Sequence, residues 1–239
     1  MPFSIVAYCS KNYFDPALIR FINSWSEFSS NVCIYTDFDL LSKSDLINRS
    51  DGKVCVQNIF EPSFDPGTNY CRKAEALLDF TVKHDFHIVE NILLLDIDCL
   101  LFKNPQYIFK NQLDIIVTVN ESLPENKRLN NISAGFLALK NKFYVFQFIK
   151  EWVREQHKEN GPCRDQATLS RLIKNSKLKI GVLPEKLFNS YPYTSSPGEI
   201  MSWQGRITTN KEDLYNLHFA HGLWRNDNLV NDIQQMIQK

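Results

Sequence analysis

The run Ile92-Leu93-Leu94-Leu95 leads straight into Asp96-Ile97-Asp98 and then Cys99-Leu100-Leu101-Phe102. Four hydrophobes in a row read as a buried strand. If the extended path continues, Asp96 and Asp98 point to one side and Ile97 to the other. Two carboxylates so placed repel unless something positive sits between them. A divalent cation is the usual answer, because hard metals take oxygen ligands and leave positions for phosphate oxygens. The plainer alternative is a strand that runs into a polar turn with both acids solvated, and the rest of the chain decides between the two.

Around this strand the pattern alternates. Phe3 to Tyr8, Val32 to Thr36 and Val54 to Gln57 read as strands. Asp15-Pro16 supplies an N-cap and a proline at the first helical position, and Leu18, Ile19, Ile22 and Trp25 follow at helical spacing. Cys71 to Lys83 reads as a helix with Ala74, Leu77, Leu78 and Thr81 on one face. Strand–helix alternation of this kind predicts an α/β fold with a mostly parallel sheet. Further on, Asp114 to Val119, Phe136 to Leu139 and Lys179 to Leu183 read as strands. Phe143 to His157, Pro162 to about Lys174 and Val230 to Ile237 read as helices. Tyr191 to Gly205, rich in Pro, Ser, Gly and aromatics, reads as a long surface loop. No repeat or linker divides the chain, so residues 1–239 are expected to form one domain.

Composition narrows the function. Lys plus Arg equals Asp plus Glu at 27 each, which argues against a nucleic-acid partner. No apolar run reaches 18 residues, so no transmembrane segment is expected. The amino terminus reads as a strand and not as a signal peptide. The six cysteines are scattered without a Cys-x-x-Cys pair, so neither a zinc site nor a disulfide framework is expected and the cytoplasm is the predicted location. Cys99 is read as a packed thiol.

In open α/β sheets, ligands bind beyond the carboxyl ends of the strands. Tyr8 and Ser10, Thr36 and Asp37, and Asp96 and Asp98 all fall there, and Tyr8 and Asp37 are suited to pack against and hydrogen-bond a nucleoside. Arg72 and Lys73 open the predicted helix, where cations oppose the helix dipole, so the pair hints at an anionic partner such as phosphate. Asn131-Ile132-Ser133-Ala134-Gly135 offers small residues that let a ligand approach the backbone. Asp165-Gln166 falls in the first turn of a helix, as a dipole partner or as a reacting pair. Imidazole suits Mn²⁺ as well as zinc, so His218 or its rival His221 is a candidate to complete a carboxylate metal site.

Taken in order, Arg72-Lys73-Ala74-Glu75, Leu94-Leu95-Asp96-Ile97-Asp98, Asn131 to Gly135, Asp165-Gln166 and His218-Phe219-Ala220-His221-Gly222 resemble nucleotide-sugar-dependent glycosyltransferases of the GT-A fold. The resemblance is greatest to retaining families of the glycogenin and lipopolysaccharide galactosyltransferase type, and it spans about residues 3 to 225. It implies an open, mixed, mostly parallel sheet flanked by helices. It also implies a nucleotide-diphosphate sugar donor, favouring UDP, with Mn²⁺ or Mg²⁺ and a carbohydrate or glycoconjugate acceptor. By the resemblance Asp96 contacts metal and ribose, Asp98 binds metal more directly, and the late histidine is the third protein ligand. Ala7, Tyr8, Ser10 and Asp37 fall to the nucleotide, and Arg72 or Lys73 approaches the donor. Asn131, Ser133 and Gly135 line the sugar pocket, with Gly222 also on the donor. Those relatives carry one residue before the glycine where this chain has Ala220-His221, and Lys-Pro-Trp where only Trp224 and Arg225 stand.

For a retaining enzyme the resemblance puts Gln166 near the sugar's β face, with Asp165 orienting sugar or acceptor; for an inverting one, Asp165 is the leading base. Tyr191, Tyr193 and Trp203 are candidates to stack on an acceptor sugar. Two rivals come from other classes. One is a haloacid-dehalogenase-like phosphatase, in which the Asp pair normally opens the first strand and precedes small residues. The other is a nucleotide-sugar-binding protein without turnover.

Overall fold

The structure is a computed structural model. It describes residues 2–11, 22, 24–25, 28, 31–38, 53–63, 65–84, 89–121, 123–159, 161, 163–189, 192–196, 199–202, 205–206 and 216–218. Seven strands form the main sheet in the order β3-β2-β1-β4-β7-β6-β8. They are β1 (Ser4–Cys9), β2 (Asn31–Thr36), β3 (Val54–Asn58), β4 (Asn91–Asp96), β6 (Ile115–Val119), β7 (Ile132–Lys140) and β8 (Ile180–Pro184). β7 runs antiparallel to both its neighbours, and the other four pairings are parallel. The mixed, mostly parallel sheet is as expected. Every residue of β1, β6 and β7 is buried, as are the first five of β4. That is why these strands read as unbroken apolar runs: both faces are covered.

Helices cover one face of the sheet: α1 (Pro66–Lys83), α3 (Phe143–Gln156) and α4 (Arg164–Asn175). On α3, Val145, Phe148, Ile149 and Trp152 recur at helical spacing and are buried. They join Leu77 and Phe80 of α1 and Leu169 and Ile173 of α4 over Val6, Ile92 and Val117. A second cluster on the opposite face sets Ile22, Trp25, Ile108, Phe109 and Phe188 against Ile5, Ile34, Leu93 and Leu95. A short α2 (Glu125–Arg128) precedes β7, and α5 (Glu185–Phe188) follows β8. Two smaller sheets complete the described chain. One pairs β5 (Cys99–Leu101) with β12 (Asn216–His218); the other joins β9 (Pro192–Ser196), β10 (Glu199–Ser202) and β11 (Gly205–Arg206). No described helix is long and apolar enough to cross a membrane.

Four expectations change. Helix α1 begins at Pro66 and not at Cys71, because Asp65 caps it: its carboxylate accepts from Thr68 N at 2.8 Å and Gly67 N at 3.3 Å. Arg72 and Lys73 therefore do not open the helix, and Lys73 lies two turns in, about 10 Å along the axis. The extended path of β4 stops at Asp96, since Ile97 and Asp98 form a turn before β5, so simple alternation does not set the direction of Asp98. The strand predicted at Phe136 begins at Ile132, which puts Ser133 and Gly135 inside β7 instead of before it. The segment from Tyr191 to Gly205 is not a plain loop, because β9 and β10 pair antiparallel within it. The start of the Asp15-Pro16 helix and the predicted helix at Val230 to Ile237 lie outside the described residues, as do Tyr191 and Trp203.

Candidate active site

The strand directions bring the carboxyl ends of β1, β2, β4 and β6 to one edge, together with the amino end of the reversed β7. Lys73 lies at the centre of that edge. It is 4 % exposed, and its Nζ is 2.5 Å from Asp96 Oδ1, 3.6 Å from Asp165 Oδ2 and 3.4 Å from the carbonyl of Ala134. One ammonium thus joins α1, the end of β4, the first turn of α4 and the start of β7. Burial alone would lower the lysine's pKa. The carboxylates of Asp96 and Asp165 outweigh that and hold it above the ordinary lysine range.

Asp165 is wholly buried. Neither of its oxygens accepts a hydrogen bond of ordinary length among the described residues. Burial, opposed by Lys73 and reinforced by Asp96, raises its carboxyl above the usual range. Two tryptophans on opposite faces of the sheet fix the backbone beside these acids. Trp152 Nε1 donates to the carbonyl of Asp165, and Trp25 Nε1 to that of Cys99, each at 2.9 Å. Asp98 is buried in the turn between β4 and β5. The thiol of Cys99 is pushed well above its usual range by burial and then by Asp96 and Asp98. A thiol so held is inert, in keeping with the packed role read from the sequence.

A second group lies at the ends of β1 and β2. The hydroxyl of Tyr8 is 3.1 Å from Asp37 Oδ2 and 3.2 Å from Asn69 Oδ1, while Lys11 N donates to Asp37 Oδ1 at 2.8 Å. Asp37 thus ties the loop after β1 to the end of β2. Ser10 Oγ is buried with no hydrogen-bond partner among the described residues. Arg72 diverges from Lys73, as adjacent helical residues must. It donates to Glu75 at 2.8 Å, and its guanidinium lies 4.6 Å from the centre of the Phe60 ring. Phe60 in turn meets Tyr8 edge-on. So Lys73 joins the acidic centre and Arg72 joins the aromatic group.

At the start of β7 the pairing with β6 slips. Val117 faces Leu137, yet Thr118 faces Ser133 where regular pairing would bring Phe136. The resulting bulge aims the carbonyl of Ala134 at Lys73, and bulges of this kind re-aim groups beside active sites. Ser133 is buried and accepts from Gly135 N at 3.2 Å and from Asn189 Nδ2 at 2.6 Å. Three predicted residues are not drawn into the centre. Ala7 is interior to the sheet, in register with Ile34 and Leu95. Asn131 is exposed, and Gln166 is half-buried on α4. The sequence reading missed Asn189 and Asn216, both wholly buried. The available signal was an asparagine set against an apolar run, in Leu187-Phe188-Asn189 and in Asn216-Leu217.

Among the described residues, no three His, Cys, Asp or Glu side chains form a group able to hold a metal ion. Asp96, half-buried, and Asp98, buried, supply two oxygen-bearing groups of the right chemistry, with the buried Asp165 as a third acid alongside the single ammonium of Lys73. An excess of carboxylate of this kind suits a divalent cation. Of the candidate third ligands, the backbone of His218 pairs with Cys99, the residue after Asp98. His221 and Gly222 lie outside the described residues.

Comparison with known proteins adds two findings. A family model described as nucleotide-diphospho-sugar transferase matches residues 90–228, more than half of the chain. Among solved structures, the chain is similar to a glycosyltransferase involved in glycosylation of the major capsid of PBCV-1, with a TM-score of 0.60, 9 % identity and 99 % of each chain covered. It is also similar to the glycosyltransferase GlyE of Streptococcus pneumoniae TIGR4, with a TM-score of 0.55 and 17 % identity, over 77 % of this chain and 46 % of that one. At these identities the structural likeness is one of fold. No curated protein matches the sequence significantly.

Proposed function

From the premise that the chain belongs to the nucleotide-diphospho-sugar transferase family and is a glycosyltransferase, we propose that it moves a sugar from a UDP-sugar to a carbohydrate or glycoconjugate hydroxyl, with retention and with a divalent metal. The observation that carries this reading is the centre formed by the buried Lys73 and Asp165 with the half-buried Asp96 at the carboxyl edge of the sheet. It lies beside a second polar group, around Tyr8, that suits a nucleoside.

Asp96 and Asp98, with His218 in preference to His221, would hold Mn²⁺ or Mg²⁺. The register of His218 with Cys99 supports that choice. When bound, the ion supplies positive charge that neutralises the departing diphosphate. The chain's own residues do the rest. Tyr8, Ser10 and Asp37 receive the nucleoside, with Ser10 Oγ, which has no hydrogen-bond partner among the described residues, as a hydrogen-bonding group for it, and Gly222 meets the donor. Ser133 and Gly135 line the sugar, with Asn131 at the rim. Lys73 holds Asp96 and Asp165 in place and faces the negative charge of the donor. The bond from the anomeric carbon to the diphosphate oxygen breaks as the carbon gains oxocarbenium character. The acceptor oxygen then bonds to that carbon, and its proton leaves with the diphosphate. Gln166 borders the sugar face, and Asp165 orients sugar or acceptor.

Inversion is a second reading with a specific observation behind it. A wholly buried carboxylate without a full hydrogen bond among the described residues, its proton affinity raised, is well suited to take the acceptor's proton itself. The haloacid-dehalogenase-like alternative has no support from the family match.

The test is nucleotide release from UDP-, GDP- and dTDP-sugars with Mn²⁺, with Mg²⁺ and with chelator, alongside Asp98→Ala. Metal-dependent hydrolysis of one donor, reduced about 10²- to 10³-fold in the variant, is the expected outcome. Hydrolysis indifferent to chelator and to the substitution overturns the metal reading. The anomeric configuration of the product, read by NMR, separates retention from inversion.

A further inference from the structure

Arg72 is gripped on two sides. Its Nη1 donates to Glu75 Oε2 at 2.8 Å, and the Phe60 ring covers its guanidinium at 4.6 Å. Phe60 is itself anchored, because its backbone N donates to the carbonyl of Thr36, the last residue of β2, at 3.4 Å. Glu75 is anchored from the other direction. Its second oxygen lies 2.9 Å from Nε2 of His157, which ends α3. The preceding Gln156 is wholly buried and donates to the carbonyl of Cys71 at 3.0 Å. The end of α3 is therefore fastened to α1 at Cys71 and at Glu75, on either side of Arg72.

An Arg–Glu pair at this helical spacing is ordinarily a loose surface contact worth little. Arg154 and Glu151 on α3 are such a pair, 3.6 Å apart with side chains 67 % and 50 % exposed. Arg72 and Glu75 share the spacing but are 22 % and 17 % exposed, and each has a further contact from another segment. A guanidinium grips an oxyanion bidentately through two parallel N–H groups. With Nη1 held by Glu75, the pair on the other side is Nε and Nη2. Nε is buried and has no hydrogen-bond partner among the described residues, so this is the side with a donor to offer. Because the Phe60 ring also meets Tyr8 edge-on, the guanidinium stands one ring away from the group that suits a nucleoside. Lys73, by contrast, is already engaged by Asp96 and Asp165.

We propose that Glu75 is a positioning residue for donor binding: with Phe60 it fixes the Arg72 guanidinium so that its Nε side meets the diphosphate of the nucleotide-sugar. The proposal rests on the transferase reading, in which the donor's diphosphate lies along this edge of the sheet.

The test compares wild type, Glu75→Ala, Glu75→Gln, Arg72→Ala and the double variant Arg72→Ala with Glu75→Ala. Donor KM and kcat are measured with Mn²⁺, together with inhibition of donor hydrolysis by UDP and by uridine. Glu75→Ala is expected to raise donor KM and the UDP inhibition constant about 10-fold, the loss expected when a charge-assisted hydrogen bond is misplaced. Its kcat and its inhibition by uridine, which carries no phosphate, are expected to stay at the wild-type level. Glu75→Gln keeps an oxygen that accepts from Nη1 and is expected to restore most of the affinity. In the Arg72→Ala background, Glu75→Ala is expected to cost nothing further. Should the Glu75→Ala chain not fold, Glu75→Met, of similar length but without an acceptor oxygen, takes its place in the same cycle. Additive losses, uridine weakened as much as UDP, or a Glu75 variant with wild-type KM overturn the positioning role while leaving the transferase reading intact. If wild type itself hydrolyses no donor and shows no thermal shift with UDP and Mn²⁺, the donor-site reading falls, and this proposal falls with it.

Discussion

The neighbouring strands β4 and β7 end in a buried lysine at each side of the sheet, and the two lysines are treated differently. At the amino end of β4, Lys140 faces Asn91 in register and bonds to its Oδ1 at 2.7 Å, with the exposed Glu90 at 3.4 Å. Asn91 in turn donates to the carbonyl of Pro2 at 3.0 Å. A neutral amide and one solvated acid answer one cation there. At the carboxyl end, Lys73 sits among Asp96 and Asp165, with Asp98 also acting on it, and the oxygens of Asp165 lack full hydrogen bonds among the described residues. Folding alone favours the first arrangement. The second keeps excess charge in a dry place, and local conflicts of that kind collect where a protein binds or reacts.

The largest expected effect comes from removing the cation at the conflicted end. Lys73→Met leaves the wholly buried Asp165 and the half-buried Asp96 without their shared cation, and loss of one partner of a buried pair costs about 3–5 kcal/mol. A urea titration measures this, and turnover of any donor is expected to be lost as well. The lysine's folded pKa is raised, so the stability it contributes is fully present at neutral pH and is lost only as pH rises through the strongly alkaline range. Lys140→Met should cost less, about 1–3 kcal/mol, because it leaves only an amide oxygen short of a partner. It is expected to leave donor turnover at the wild-type rate. Equal losses of stability at the two sites, or lost turnover in Lys140→Met, would break the contrast between the ends.

The same contrast explains what could be read in advance. The strands were legible because the sheet is covered on both faces, so each is an apolar run bounded by polar residues. The acidic pair was legible because it interrupts such a run. The phase of α1 was not: its first turn, Gly67 to Tyr70, carries no apolar stripe, and only the Asp65-Pro66 cap marks the start. With the start misplaced, nothing in the sequence says that Lys73 turns to the acids while Arg72 turns to Phe60. The burial of Asp165 was hidden for a similar reason, since an acid in a first helical turn looks like an ordinary dipole partner. The bulge in β7 depends on a slip against β6, a relation between distant segments that no local pattern encodes. The contact of Asn189 with Ser133 lies at that slip.

The smallest effect on stability, and the most informative in sign, is that of Asp165→Asn. The folded protein raises the pKa of this carboxyl, chiefly through burial and against the pull of Lys73, so the native state binds its proton more tightly than the unfolded chain does. Stability from this group is therefore fully present below the unfolded pKa, near 4, and is lost as pH rises through the folded value. An amide of the same shape carries no such charge. At acidic pH the variant and wild type should unfold at the same denaturant concentration, and towards neutrality the variant should become the more stable by about 1 kcal/mol, a gain typical of relieving a functional site. Donor turnover should fall over the same range in which stability rises. If the variant is instead less stable at neutral pH, the Lys73–Asp165 attraction outweighs the burial cost. The carboxyl end of the β4–β7 pair would then be as well matched as the amino end.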